Sequence, residues 1–178
     1  PRPSPVRPSR SPPGSPPSPS RRLCSEWGDT GPVALKGVAS GEDAKRAMET
    51  GFGAVWVSNH GGRQLEDSVA TFDVLPEVRK AVGPDVEVIL DGGVRRGIDV
   101  VKAIARGADS VACGRAYLFG LAAGGFNGVD KSLSLLSRDL YLAMGLLGCR
   151  SVAELKEKAP LALKKADPWG EQFPGKSM

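Results

Sequence analysis

Histidine and cysteine are scarce in this sequence, acids are absent from its first 22 residues, and no apolar run is long. Each shortage excludes something. The three cysteines, Cys24, Cys113 and Cys149, are odd in number, lie far apart and form no C-x-x-C pair, so neither a disulfide framework nor a zinc site is indicated. A reducing intracellular compartment is the expectation that follows. The longest helical pattern, residues 133 to 147, is interrupted by Ser134, Ser137, Arg138 and Asp139, and nothing reaches the roughly 20 apolar residues that a transmembrane helix needs. Length is short as well. The 178 residues allow one ordinary globular core, whereas a complete (β/α)8 barrel takes about 250. Residues 1 to 22 hold five arginines and no acid, which leaves 19 basic and 20 acidic residues elsewhere, a net of −1. The basic excess therefore belongs to a tail, and no nucleic-acid partner is expected.

Proline, serine and arginine dominate the start of the chain: nine of the fifteen prolines lie in residues 1 to 22. Such a stretch cannot bury enough apolar surface to fold, so residues 1 to 31 read as a disordered extension. Arg10-x-x-Pro13-x-x-Pro16 fits a ligand pattern for SH3-type grooves, but any Pro/Arg-rich tract produces such matches, and an SH3-type partner is not expected. A first residue of proline points to processing or to a fragment. The missing acids would suit a transit peptide, which the abundance of proline argues against. At the other end, residues 159 to 178 contain Pro160, Pro168, Pro174 and Gly175 and read as an irregular tail; Lys176-Ser177-Met178 is not a Ser-Lys-Leu address.

Between these ends short apolar runs alternate with helical patterns. The runs are Val33-Ala34-Leu35, Ala54 to Val57, residues 86 to 90 and residues 110 to 113. Alternation at that spacing implies βαβ units and a parallel sheet. Ser40 with Asp43 three residues later, and Gly51 as a stop, punctuate a helix over residues 41 to 50. Further helices are expected near 70 to 82, ended by Gly83, and 97 to 106, ended by Gly107. Residues 118 to 147 read as a helix broken around Gly124, Gly125 and Gly128, with another following over 152 to 158.

Every expected strand ends in a polar cluster: Lys36-Gly37, then Ser58-Asn59-His60-Gly61-Gly62-Arg63-Gln64, then Asp91-Gly92-Gly93-Val94-Arg95, then Gly114-Arg115. In a parallel arrangement all four lie on one rim, where such folds keep their chemistry. His60 is the only histidine, hence the only side chain whose unperturbed pKa suits proton transfer near neutral pH. Arg63 offers a planar fork for a carboxylate or phosphate. Taken alone, that pair reads equally as a turn histidine beside a surface arginine. The third and fourth clusters join bare glycine N–H groups and arginines to helix N-termini, which suits a phosphate. Each could also be a tight turn with solvated arginines. Lys36 could hold an electron-rich ring atom or a carbonyl, or lie solvated on the surface.

Assembled, Leu35-Lys36-Gly37, Val57 through the histidine motif to Gln64, Leu90-Asp91-Gly92-Gly93-Val94-Arg95-Arg96-Gly97 and Gly114-Arg115 resemble the FMN-dependent α-hydroxy-acid dehydrogenases and oxidases, the flavin L-lactate dehydrogenase and glycolate oxidase family. The resemblance runs from about residue 32 to residue 155. It implies that residues 32 to 158 are the C-terminal half, about strands 5 to 8, of a TIM (β/α)8 barrel in the α/β class. It implies FMN as cofactor and a small 2-hydroxy acid as substrate, oxidised to the 2-keto acid. Lys36 and Ser58 would contact the flavin; Asp91, Gly92, Gly93, Arg95, Gly114 and Arg115 would hold the ribityl chain and phosphate. His60 would be the base and Arg63 the carboxylate anchor. The family's first half, with its remaining flavin contacts and the carboxylate that orients the histidine, has no counterpart in residues 1 to 31. Weak or absent turnover is therefore expected of this chain alone. Two unpaired sheet edges invite a homo-oligomer. The alternative to an enzyme is a non-catalytic FMN- or phosphate-binding or interaction fragment. Another phosphate-binding barrel, such as an isomerase, would not require His60 and Arg63 at this spacing.

Overall fold

The structure is a computed structural model and describes residues 18–28 and 30–163. The proline-rich tract up to residue 17, the SH3-type pattern within it, and the tail from residue 164 lie outside the described residues.

Four parallel strands stand side by side in chain order: β1 (Ala34–Val38), β2 (Ala54–Val57), β3 (Glu87–Leu90) and β4 (Ser110–Val111). Between them run α2 (Gly41–Thr50), α3 (Thr71–Val82) and α4 (Gly97–Ala105), with α1 (Pro19–Trp27) ahead of β1 and α5 (Arg115–Leu146) and α6 (Val152–Ala162) after β4. Four βα units wound in this order are half of a (β/α)8 barrel. Pairing is in register from Ala34 through Ala54 to Glu87 and from Lys36 through Trp56 and Ile89 to Ser110. Strand alternation then sends Leu35, Val55, Val57, Val88 and Leu90 to the helix side. There they join Ala44, Leu75, Val78, Val101 and Ile104 in the core. That burial is the main stabilising term.

Local sequence explains the helix ends. Ser40 Oγ accepts the Asp43 N–H at 3.1 Å and donates to its carboxylate at 2.9 Å, and α2 stops at Gly51 in the left-handed region. Asp99 reaches back to the N–H groups of Arg95 and Arg96 at the start of α4. Inside α5 the helical geometry breaks at Gly124 and Gly125, as expected, and the backbones of Gly120 and Gly128 meet.

Three expectations are corrected. Residues 19 to 27, read as part of a disordered extension, form α1: Ser18 caps it by accepting the Arg21 N–H at 3.3 Å, Pro19 opens it, and Arg21 donates to the Glu49 carbonyl at 3.1 Å. Composition dominated by the neighbouring prolines concealed it. Strand β1 continues to Val38 because a bulge at Gly37, φ 96°, absorbs one residue. Helix α6 runs to Ala162, past the expected limit of 158, because Leu155 and Ala159 are buried and Pro160 falls within its last turn.

At the N-terminal ends of the strands Arg79 ties the fold together. Its guanidinium donates to the carbonyls of Gly107, Gly83 and Val86 at 2.7 to 2.8 Å and pairs with Asp109. Lys156 of α6 adds a second cation to Asp109 at 2.7 Å. This clamp sits opposite the rim that carries the polar clusters, an arrangement in which one face supplies stability and the other chemistry.

Candidate active site

Strand register lines up the C-terminal ends of β1, β2 and β3, and three expected site residues meet there. Lys36 Nζ donates to Ser58 Oγ at 2.9 Å and pairs with Asp91 Oδ2 at 3.0 Å. Its ammonium also lies 5.2 Å from the centre of the Trp56 ring. Ser58 is buried and turns its oxygen to the backbone N–H of His60 at 3.2 Å. An ammonium carries three N–H donors, and the two oxygens occupy two of them. The third is free for a carbonyl or ring atom. Asp91 Oδ1 is buried and accepts no hydrogen bond among the described residues, the state of an acceptor that a ligand hydroxyl would satisfy.

His60 opens a one-turn 3-10 helix (His60–Gly62) and has φ 54°, rare for a residue with a side chain. Asn59 holds the turn by accepting the Gly61 N–H at 3.0 Å and donating to the Val69 carbonyl at 3.2 Å. The exposed imidazole leans over the bulge of β1, with Cε1 3.4 Å from where a Cβ of Gly37 would be. A larger residue at 37 would push it away. From the far end of the rim Arg115 donates to the Gly61 carbonyl at 3.1 Å and so bridges the fourth cluster to the second. Arg63 and Arg95 are exposed, and among the described residues neither guanidinium has a hydrogen-bond or ion-pair partner. The same holds of the His60 ring, whose backbone alone is bonded.

Gly92 and Gly93 both have positive φ, 99° and 81°, and a Cβ on Gly93 or Gly114 would meet nothing within 4 Å. Their backbones thus border open space on the rim, as an oxyanion cradle requires. FMN fits these residues: glycine N–H groups and a free arginine suit its phosphate, the orphaned Asp91 oxygen suits a ribityl hydroxyl, and the remaining Lys36 donor suits a polar ring edge. Among the described residues no group of His, Cys, Asp and Glu could hold a metal ion, and no helix is long and apolar enough to cross a membrane.

The structure gives a part in the site to four residues to which the sequence reading assigned no role, three of them inside the rim clusters. Asn59 and Gly61 form an Asx-type turn, which the Asn-x-Gly spacing could have signalled. Gly37 appears only as the seat of His60. Thr71 is buried, and its hydroxyl donates to the Asp91 carbonyl at 2.6 Å, fixing the start of the Gly92-Gly93 turn. Nothing in its sequence context marks it.

Comparison with known proteins places this geometry. The FMN-dependent dehydrogenase family model matches residues 20–161, taking in α1 and extending beyond the span that the motifs cover. L-lactate oxidase of Nostoc sp. is 51% identical over 124 residues, 70% of this chain and 34% of that protein. Pre-mycofactocin synthase of Mycobacterium tuberculosis is 53% identical over 129 residues, 72% of this chain and 32% of that protein. Among solved structures, mandelate oxidase with benzoyl-formic acid superposes with a TM-score of 0.68 at 48% identity, covering 70% of this chain and 37% of the oxidase. The chain thus spans about a third of the length of the curated relatives it matches. With a family match over most of its length and the half-barrel fold to go with it, this chain belongs to the FMN-dependent dehydrogenase family.

Proposed function

We propose that this chain carries the flavin cradle and the proton-accepting side of a site that oxidises a small 2-hydroxy acid to the 2-keto acid. The observation that carries the reading is the convergence of Lys36, Ser58 and Asp91 beside the His60 turn, with the Arg63 and Arg95 guanidiniums left free on the same rim. Bound FMN would supply the two-electron acceptor that no amino acid provides. Lys36 and Ser58 face the flavin. Asp91, Gly92, Gly93, Arg95, Gly114 and Arg115 hold its ribityl chain and phosphate. His60 accepts the substrate proton and Arg63 anchors the carboxylate. Relatives named for lactate, mandelate and pre-mycofactocin are all close to half identical to this chain, so overall likeness does not choose among substrates.

A second reading has one observation in its favour. No side chain among the described residues orients the His60 ring, and a base without an orienting partner is a poor one. The chain alone would then bind flavin and turn over weakly or not at all.

An anaerobic FMN titration followed by lactate or glycolate separates the two. Substrate bleaching of bound flavin supports the first reading; binding without bleaching supports the second; no binding refutes both for this chain. If bleaching occurs, His60→Gln is expected to slow it at least about 100-fold while leaving FMN affinity nearly unchanged, and an unaltered rate removes His60 from its role. Arg95→Ala with Arg115→Ala is expected to weaken FMN at least about tenfold and riboflavin hardly at all, since only FMN has the phosphate. Equal losses for both ligands sink the phosphate assignment.

A further inference from the structure

His60, Gly61 and Gly62 have φ of 54°, 75° and 71° in succession, a run of left-handed backbone that persists only where its surroundings hold it. The hold is on Gly61. Its N–H donates to Asn59 Oδ1 at 3.0 Å, and its carbonyl accepts from Arg115 Nη2 at 3.1 Å. Asn59 Oδ1 in turn lies 3.4 Å from where a Cβ of Gly92 would be. Both glycine-arginine clusters therefore reach this one residue, the third through Asn59 and the fourth directly.

Gly61 also makes room for what grips it. A Cβ at residue 61 would lie 3.1 Å from Arg115 Nη2, 3.7 Å from Cζ and 3.9 Å from Nε, so the guanidinium rests against the bare Cα. We propose that Gly61 is a positioning residue for the phosphate of a bound flavin: it seats the Arg115 guanidinium, so that the phosphate contact and the His60 turn stabilise each other. The inference rests on the reading that Arg115 holds the phosphate.

The guanidinium itself is the physical link. It carries five N–H donors in a rigid fork, and among the described residues the Gly61 carbonyl takes one. Four remain for phosphate oxygens, so an anion can be held without releasing the carbonyl. An arginine loose in solvent loses rotamer freedom when it grips an anion, whereas one already seated on Gly61 has lost part of it beforehand. A formed turn thus strengthens the phosphate contact, and by linkage a bound phosphate strengthens the turn by the same factor. Because that turn carries His60, the contact passes the presence of phosphate across 54 residues of chain to the backbone of the proton-accepting side chain.

Riboflavin, which lacks the phosphate, is the natural control. The full chain is titrated with FMN and with riboflavin, and the ratio of the two affinities is compared among the parent, Gly61→Ala, Arg115→Ala and the double variant. Gly61→Ala is expected to lower the preference for FMN about fivefold in the parent. In the Arg115→Ala background it is expected to change nothing further, since the methyl then has no guanidinium to displace. A merely structural role would weaken both ligands alike and overturn the proposal. If Arg115→Ala leaves the preference intact, the phosphate reading fails and the inference with it; if Arg115→Ala lowers it and Gly61→Ala does not, the inference alone is overturned. Amide exchange is read alongside, first without flavin. Arg115→Ala is expected to speed exchange of the Gly61 and Gly62 N–H groups, which both donate to Asn59, at least about fivefold while the β2 amides keep their rates. Equal rates in the parent and Arg115→Ala overturn the proposal, as do a turn that exchanges faster with FMN than with riboflavin and a chain that binds neither ligand. If Gly61→Ala does not fold, the exchange of the parent and Arg115→Ala decides.

Discussion

Gly92→Ala puts a methyl group where the Thr71 hydroxyl already stands. A Cβ at residue 92 would lie 2.6 Å from Thr71 Oγ1, 3.5 Å from its Cγ2 and 3.4 Å from Asn59 Oδ1. Thr71 is 4% exposed and cannot swing into solvent, and its hydroxyl is committed to the Asp91 carbonyl. Making room breaks that hydrogen bond, at a cost of about 1 to 3 kcal/mol for a buried acceptor left unpaired. Alanine at φ 99° adds strain of about 1 kcal/mol. The sum, about 2 to 4 kcal/mol, is a large share of the 5 to 15 kcal/mol typical of a domain. Thr71→Ala by itself should cost about 1 to 2 kcal/mol through the same lost bond. With both changes the methyl at 92 enters space that the threonine has vacated, so the double variant should be more stable than the sum of the two losses, with a coupling of about 1 to 2 kcal/mol. Urea unfolding followed by far-ultraviolet circular dichroism measures all three. With a slope of about 2 kcal/mol per molar, Gly92→Ala should lower the midpoint by about 1 to 2 M. Single losses that add to within about 0.5 kcal/mol would show that the Thr71 hydroxyl and the Gly92 turn do not share space, and the steric argument would fail.

Two further outcomes are expected elsewhere in the fold. A Cβ on Gly97 would fall far inside contact with the backbone of Asp139 and Leu140, and Gly97 N–H is bonded to Asp139 Oδ2 at 2.6 Å, so Gly97→Ala should cost about 3 kcal/mol or more by forcing α4 from α5; a loss under about 1 kcal/mol would refute that packing. For Asp109, partial burial alone would raise the carboxyl, but the Lys156 hydrogen bond, the Val88 N–H and the Arg79 charge outweigh it and hold the group below its ordinary 3.8. The unfolded chain therefore binds this proton more tightly, so the stability that Asp109 contributes is whole above the unfolded value and is lost as pH falls through the folded one. The gap in unfolding free energy between the parent chain and Asp109→Asn should shrink from pH 7 to pH 3, and a constant gap would refute the assignment.

Much of the half barrel can be read from residues near one another in the chain. Ser40 with Asp43 begins α2 and Gly51 ends it; Ala54 to Val57 is a strand because a short apolar run between turns has little else to become. The order of strands and helices follows from their alternation, and with it the rim that gathers the four polar clusters. Each of these rests on backbone hydrogen bonds and steric preferences within a few residues. Helix α1 was hidden because its support is partly tertiary, an arginine reaching the Glu49 carbonyl 28 residues away. Only the folded sheet decided which rim residues meet. Lys36 reaches Ser58 across 22 residues, Arg115 reaches Gly61 across 54, and Gly37 makes room for His60, because parallel pairing sets a register that no local pattern contains. The sequence by itself determined which chemistries the rim could hold; the register of four strands decided their contacts, since a side chain's partner across a sheet depends on where the neighbouring strand begins.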